Sequence, residues 1–440
     1  MSGNTEEISG VQSDIRLPSW EARELTSEYL EKEQNRSGID IPFLLLTLLI
    51  LLIGVVMVLS ASYASAYYMT GQPMWFFTRQ LVFAVSGVAI MLLVSNIRTS
   101  TMSRWSVQLL LVSIALLVVV LVIGIRVNGA TRWIGVGSGN SAFTFQPSEI
   151  AKLAVIMSYA QLMCKFGKKM KKFRCGVFPF VLITTIIVVL LYMEPHLSAA
   201  IIVVALAAIM MFAGGTPLRW FVMPMLIVAI TIVFLFLPDS NSELRDEVSA
   251  EVTFRQAVIE ASENMGYAGR RIRAWLDPEA DPLHDGFQIR QSLFAVGSGG
   301  MFGQGLGQSR QKYLYLPEEH NDYIFAIVCE ELGFIGAMLI LMLFFLLVIR
   351  GYWLAMNSKD KYAKLITLGI TSLLAIQVFL NVAVVTNLVP ATGISLPFFS
   401  YGGTALWIQL LQMGIILAVS REIPKPKPEA KCNEEGGVNA

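Results

Sequence analysis

Histidine and cysteine are scarce in this chain, three of one and four of the other among 440 residues, and charged residues make up only 15%. Each shortage excludes something. No CxxC and no His/Cys spacing of the kind that holds zinc occurs, so no metal site is expected. Cys164, Cys175, Cys329 and Cys432 fall in apolar runs or on the side read below as cytoplasmic, where disulfides do not persist. A net charge of +1 without a basic stripe argues against nucleic-acid binding. The first 40 residues hold nine acids against four bases, with no basic n-region and no small-residue cleavage site, so they read as a disordered cytoplasmic tail rather than a secretory signal. Internal repeats and low-complexity tracts are lacking too.

Apolar residues are what the chain has in abundance. They make up 55% of it, the mean hydropathy is +0.61, and they come in blocks of about 20, the length that crosses a bilayer. The expected fold is therefore an all-α polytopic membrane protein. Ten spans are predicted near Ile41–Ser60, Phe76–Val94, Ser106–Ile125, Ser148–Cys164, Val177–Tyr192, Ser198–Phe212, Trp220–Leu237, Tyr323–Val348, Leu365–Leu388 and Thr404–Val419. The run "KFGKKMKKFR" after the fourth span carries six positive charges, and Lys359, Lys361, Lys364, Arg421, Lys425 and Lys427 fall on the same side, which marks it as cytoplasmic. Residues 1–40 and 422–440 are then cytoplasmic tails around a membrane domain over 41–421, with a large extracytoplasmic loop at 238–322 between spans seven and eight. The loops Gly124–Pro147 and Pro390–Gly403 also lie outside.

A loop as long as 238–322 is usually functional or disordered, and this one has helical spacing in "FRQAVIEASENMGYAGRRIRAWL", broken by Gly266 and Gly269. The glycine-dense "SLFAVGSGGMFGQGLGQSRQKYLYLPEEHND" follows. No strand precedes it and no Lys-Ser/Thr pair closes it, so it is not a nucleotide loop. The most unusual stretch is "LPEEHNDYIFAIVCEELGFIG", Leu316–Gly336, where four ionisable groups crowd the entrance of a span and Glu330 and Glu331 sit inside it. Charges in hydrocarbon are costly unless they are paired or face water. Glu318 and Glu319, after Pro317, read as a solvated turn. Glu330 and Glu331 lie about 12–14 Å deeper than Asp322 at helical rise, as structural buried charges, with Lys152 the leading partner for one of them.

"NGATRWIG", "FQPSEIAKL", "RIRAWLDPEADP", "GFQIRQSLFAVGSGGMFGQGLGQSRQKYLYLPEEHNDYIFAIVCEELG" and "NLVPATGISLPFFSYGG" occur in that order between Ile41 and Arg421. Together they resemble the SEDS family (shape, elongation, division and sporulation), and "GQGLGQSRQKYLYLPEEHND" is more similar to its FtsW and SpoVE branch than to RodA. One departure is "EPHLSAA" at Glu194–Ala200, where many members read QPDLG, which weakens any role for an acid at the position held here by His196.

The resemblance implies a peptidoglycan glycosyltransferase that polymerises lipid II at the outer face of the bacterial cytoplasmic membrane, in septal wall synthesis during division or sporulation. It implies Asp322 as the catalytic acid. A partly desolvated carboxylate at the boundary is poised to take the proton of an attacking hydroxyl, while the other reading of Asp322 is an N-cap of the eighth span. Cations available for the leaving diphosphate are Arg79, Arg132, Lys152 and the Arg270–Arg271–Arg273 cluster; Arg79 reads equally as a snorkelling anchor. Trp133 is a candidate for stacking on a sugar or for the interfacial belt, and His320 for positioning a sugar or tuning Asp322. "PATGISLPFFSYGG" reads as broken backbone, either a structural re-entrant turn or a wall of the substrate groove. No cofactor is required, a divalent cation is an open option, and the implied partners are a class B penicillin-binding transpeptidase and divisome or sporulation septum proteins. A lipid II flippase and a non-catalytic scaffold recruiting the transpeptidase remain as rival functions.

Overall fold

The computed structural model describes residues 38–127, 130–136, 143–222, 266–279 and 285–423. Long apolar helices dominate: α1 (Ile41–Thr70), α2 (Trp75–Val94), α3 (Thr99–Ile123), α4 (Pro147–Phe166), α5 (Phe178–Met193), α6 (Leu197–Ala213), α9 (Ile324–Asn357), α10 (Lys361–Val385) and α11 (Gly403–Arg421). Two shorter helices, α7 (Gly266–Leu276) and α8 (Asp285–Ser298), belong to the long connection that precedes α9. Local chemistry sets the ends. The Asp40 carboxylate accepts from the Phe43 amide at 3.0 Å to start α1, Gly71 in the left-handed region (φ 70°) stops it, and Asp360 caps α10 through Ala363 at 3.0 Å.

Nine of the ten predicted spans coincide with these helices, and the tenth, Trp220–Leu237, lies outside the described residues past Val222. Seven described helices are long and apolar enough to cross a membrane. In that group α5 counts together with the short helical turn before it, as Phe173–Met193; the α4 helix is long enough but too polar, and α6 has only 17 residues. Both are packed inside: α4 lies against α3, α6 and α10, which leaves its Glu149 and Lys152 away from lipid. Elsewhere α2 packs on α11, α5 on α6, and α9 on α1 and α10. Gly54 of α1 lets the backbone at Phe398 approach so closely that no side chain would fit.

Two features were not expected from the sequence. The Gly124–Pro147 loop forms an antiparallel meander, β1 (Ile125–Val127), β2 (Ala130–Val136) and β3 (Phe143–Phe145), in which Ile125 pairs with Trp133 and Ile134 with Phe145. In the long loop, α7 runs from Gly266 unbroken through Gly269, so Gly269 does not interrupt a helix as the sequence suggested. Residues 254–265 of that stretch lie outside the described residues.

The glycine-dense segment has a structural task. The α9 helix breaks at Gly333 (φ 68°, ψ −173°), which would orphan backbone groups at membrane depth, a cost tolerated only when protein supplies partners. Residues 300–305 supply them: the Gln304 and Gly305 amides donate to the Glu330 and Glu331 carbonyls at 2.9 and 3.0 Å, and the Phe334 and Ile335 amides donate to Gly300 and Met301 at 2.9 and 3.2 Å. Gly303 and Gly333 face each other backbone to backbone with no space for a Cβ on either.

The acids just before the break are not paired with Lys152. Lys152 binds Glu149 of its own helix at 2.7 Å, a turn-spaced pair that position alone brings together. Glu331 instead accepts from Lys312 Nζ at 2.9 Å and from Ser60 Oγ at 2.7 and 2.6 Å, and Glu330 accepts from Ser309 Oγ at 2.5 Å and the Arg310 amide at 3.0 Å. Glu319 is also buried, bonded to Ser65 and facing His320 at 3.4 Å, so it is not part of a solvated turn. Its burial follows from the docking of this segment on α1. Removing Lys312 alone leaves a buried carboxylate without its cation, and Lys312→Met should destabilise the protein by about 3–5 kcal/mol. Adding Glu331→Gln should restore much of that loss in detergent-solubilised unfolding measurements, whereas strictly additive losses would show the two side chains to be uncoupled.

Candidate active site

The segment Glu318–Asp322 connects the turns of the long loop to α9, and three consecutive carbonyls in it are tied down. The Tyr401 amide donates to His320 O at 2.9 Å, Ser400 Oγ to Asn321 O at 2.8 Å, and Asn381 Nδ2 to Asp322 O at 2.8 Å. The same Asn381 amide group also reaches Ile394 O at 2.7 Å. The Pro390–Gly403 segment and α10 thereby fix the backbone that carries Asp322. Local strain accompanies this: Glu318 and Phe398 both have positive φ, 57° and 65°.

Asp322 does not cap the helix. The N-cap of α9 is Tyr323, and no side chain makes a capping bond there. The Asp322 carboxylate turns instead toward Gly393, where a Cβ would stand 3.1 Å from Asp322 Oδ2 and 4.0 Å from Arg271 Nη1. Gly393, with φ at +71°, both makes the turn and leaves room for the carboxylate. Arg271 donates to Ala391 O at 2.7 Å, and Trp275 Nε1 to Asn387 O at 3.0 Å, so α7 is docked on this segment with its guanidinium beside the acid. Burial raises the Asp322 carboxyl to about 6, Glu318 pushes the same way, and Arg271, Arg132 and His320 oppose.

The remaining predicted residues divide into groups. Arg132, on β2, acts on Asp322 and donates to the Pro195 carbonyl. Trp133 is its neighbour on the strand, where alternation turns its ring to the other face. Lys152 sits with Glu149 and acts on His196 rather than on Asp322. Arg79 stacks on Trp75 at 4.0 Å and hydrogen-bonds Tyr401, outside the set of charges that act on Asp322. His320 packs in the same aromatic group, 4.6 Å from the Phe76 ring and 6.0 Å from Tyr401. Glu330 and Glu331 are buried below, in the Lys312 cluster. Arg271, singled out in sequence only as one of three, is the cation that flanks the acid; Gly393 and Asn381 gave no signal beyond a glycine in a loop and an amide in an apolar run.

A polytopic membrane protein whose extramembrane segments converge on one partly desolvated carboxylate flanked by guanidinium groups is the class that fold and site define. The family model described as cell cycle protein, covering FtsW, RodA and SpoVE, matches residues 41–425. The chain belongs to this family. It is 41% identical to stage V sporulation protein E of Bacillus subtilis (strain 168), over 88% of this chain and 98% of that one. It is 38% identical to the probable peptidoglycan glycosyltransferase FtsW of Trichlorobacter lovleyi, over 89% and 96%. Among solved structures, a chain reported under "Structural coordination of polymerization and crosslinking by a peptidoglycan synthase complex" is similar with a TM-score of 0.68 at 25% identity, over 87% of this chain and 98% of that one. Thermus thermophilus RodA shares the fold with a TM-score of 0.59 at 24% identity, over 88% and 98%.

The electrostatics of Asp322 are testable without any assay of turnover. Carbodiimides label protonated carboxyls, so labelling of Asp322, read by peptide mass spectrometry, should fall with a midpoint near pH 6. Arg271→Gln removes a charge that favours the ionised form and should move the midpoint up; Glu318→Gln should move it down. A midpoint near 4, unmoved by either change, would contradict this description.

Proposed function

We propose that the chain is a peptidoglycan glycosyltransferase that polymerises lipid II into glycan strands at the outer face of the cytoplasmic membrane. The observation that carries this reading is the Asp322 carboxylate, ionisable near pH 6, free of any capping bond and flanked by Arg271. The names of its relatives support the reaction. Asp322 takes the proton of the acceptor's GlcNAc 4-hydroxyl as that oxygen attacks the anomeric carbon of the donor's MurNAc. The bond from that carbon to the diphosphate breaks, and its electron pair leaves with undecaprenyl diphosphate, neutralised by Arg271 and Arg132. Guanidinium groups suit phosphate oxygens in shape as well as charge. No cofactor is needed for this step, and a divalent cation can accompany the diphosphate.

The related solved chain comes from a complex that couples polymerisation to crosslinking, which supports a transpeptidase of the class B penicillin-binding type as partner here. Both termini are assigned to the cytoplasm from the basic inner loops, and the relation to FtsW and SpoVE supports work at a division or sporulation septum, with the proteins assembled there.

Asp322→Asn keeps the size of the side chain and removes the base. Purified protein carrying it, with the transpeptidase, should polymerise labelled lipid II at least about 100-fold more slowly, the range of general-base catalysis, while folding and partner binding hold. Wild-type activity should decline as pH falls through about 6, because protonation removes the base form. Near-normal polymerisation by the Asn variant would refute the assignment.

A further inference from the structure

Beside the Asp322 site lies a second group of polar side chains that the reaction above does not use. Glu194 and His196 flank the turn between α5 and α6, Ser198 follows in the first turn of α6, and Ser148 lies on α4 one turn before Lys152, whose charge acts on His196. Glu194 has no exposed surface, and neither of its carboxylate oxygens has a hydrogen-bond partner. His196 Nδ1, Ser148 Oγ and Ser198 Oγ are likewise buried without a partner. Buried polar atoms are nearly always bonded, and a concentration of unbonded ones in a native protein calls for a missing partner. Burial raises the Glu194 carboxyl to about 8, against the pull of Arg132, and burial together with Arg132 and Lys152 keeps His196 well below its ordinary value. Burial thus favours the uncharged form of both side chains.

The cluster therefore offers an acid hydroxyl, an imidazole and two serine hydroxyls, which donate and accept hydrogen bonds without net charge. That chemistry does not suit a diphosphate, which needs cations. A metal ion is poorly served as well, since no three His, Cys, Asp or Glu side chains converge to hold one among the described residues. It suits a neutral group rich in hydroxyl and amide functions. Arg132 joins the two places: it acts on Asp322 and on Glu194, and its donation to the Pro195 carbonyl closes the turn between Glu194 and His196.

We propose that Glu194, His196, Ser198 and Ser148 form a subsite for the uncharged sugar portion, hydroxyl and acetamido groups, of the lipid-linked substrate. This rests on the polymerase reading, and it assigns to these residues recognition of the sugar rather than chemistry on it. When a substrate diphosphate engages Arg132, the guanidinium releases Pro195, the turn opens, and the sugar supplies the hydrogen bonds that Glu194 and its neighbours lack. Glu194 acts here as a neutral acid, so glutamine is a fair replacement and leucine is not.

The test compares binding of two lipids to purified full-length protein in nanodiscs: lipid II, and undecaprenyl diphosphate, which has the same diphosphate and tail but no sugar. Glu194→Leu should weaken lipid II binding about tenfold, the effect of one or two lost hydrogen bonds, and leave undecaprenyl diphosphate binding unchanged. Glu194→Gln should bind both lipids as the wild type does. The thermal midpoint of Glu194→Leu should hold or rise, because an unbonded polar group has been removed from the interior. Equal weakening for both lipids, no weakening for either, or a Gln variant as poor as the Leu variant would each overturn the proposal. Binding is read without turnover, so a failure of the polymerase reading, seen as normal strand synthesis by Asp322→Asn, is a separate result.

Discussion

The site depends on the anchoring of one short piece of backbone. Three successive carbonyls, at His320, Asn321 and Asp322, accept hydrogen bonds from Tyr401, Ser400 and Asn381. A chain leaving a water-exposed loop to enter a membrane helix has no regular structure to direct it. These three bonds supply that direction, and they bind the start of α9 to the Pro390–Gly403 segment and to α10. The same segment receives α7 through Arg271, and Trp275 ties α7 to Asn387 just before it. The acid, its flanking guanidinium and the glycine that makes room for it are thus all positioned from one stretch of irregular backbone, which lies between helices where its polar groups find protein partners.

A second constraint acts deeper. The break in α9 at Gly333 exposes backbone that the glycine-dense segment covers, and covering it brings Ser309 and Lys312 onto Glu330 and Glu331. Backbone repair and charge pairing are two results of one docking event. The acids inside the span are explained by this architecture, while the acid at its entrance is left uncapped and partly buried, a condition suited to chemistry.

The spans were legible because an apolar block of about 20 residues has few alternatives in any environment. Asp322 was legible as well, as an ionisable group where one is costly. Pairings across long separations were not. Lys312 lies in a polar loop and nothing in "QSRQKYLYL" marks it for burial, whereas Lys152 looked available until its turn-spaced neighbour Glu149 claimed it. Glu319 read as solvated because it follows a proline in a polar run; its burial depends on Ser65, 254 positions away. Arg79 and Arg271 were both read as available cations, and only the docking of α7 decides that Arg271 stands beside the acid. The meander went unread since its strands are short and set among glycines.

The central claim is that catalysis rests on Asp322 held in place by its backbone, and Asn381 gives the most direct access to that claim. Its side chain is buried and bonds both Asp322 O and Ile394 O. In a steady-state assay of lipid II polymerisation, Asn381→Leu should lower kcat at least about tenfold, as misplacement of a base does, with KM for lipid II near the wild-type value. An Asn381→Leu protein that is folded and polymerises at the wild-type kcat would contradict the account.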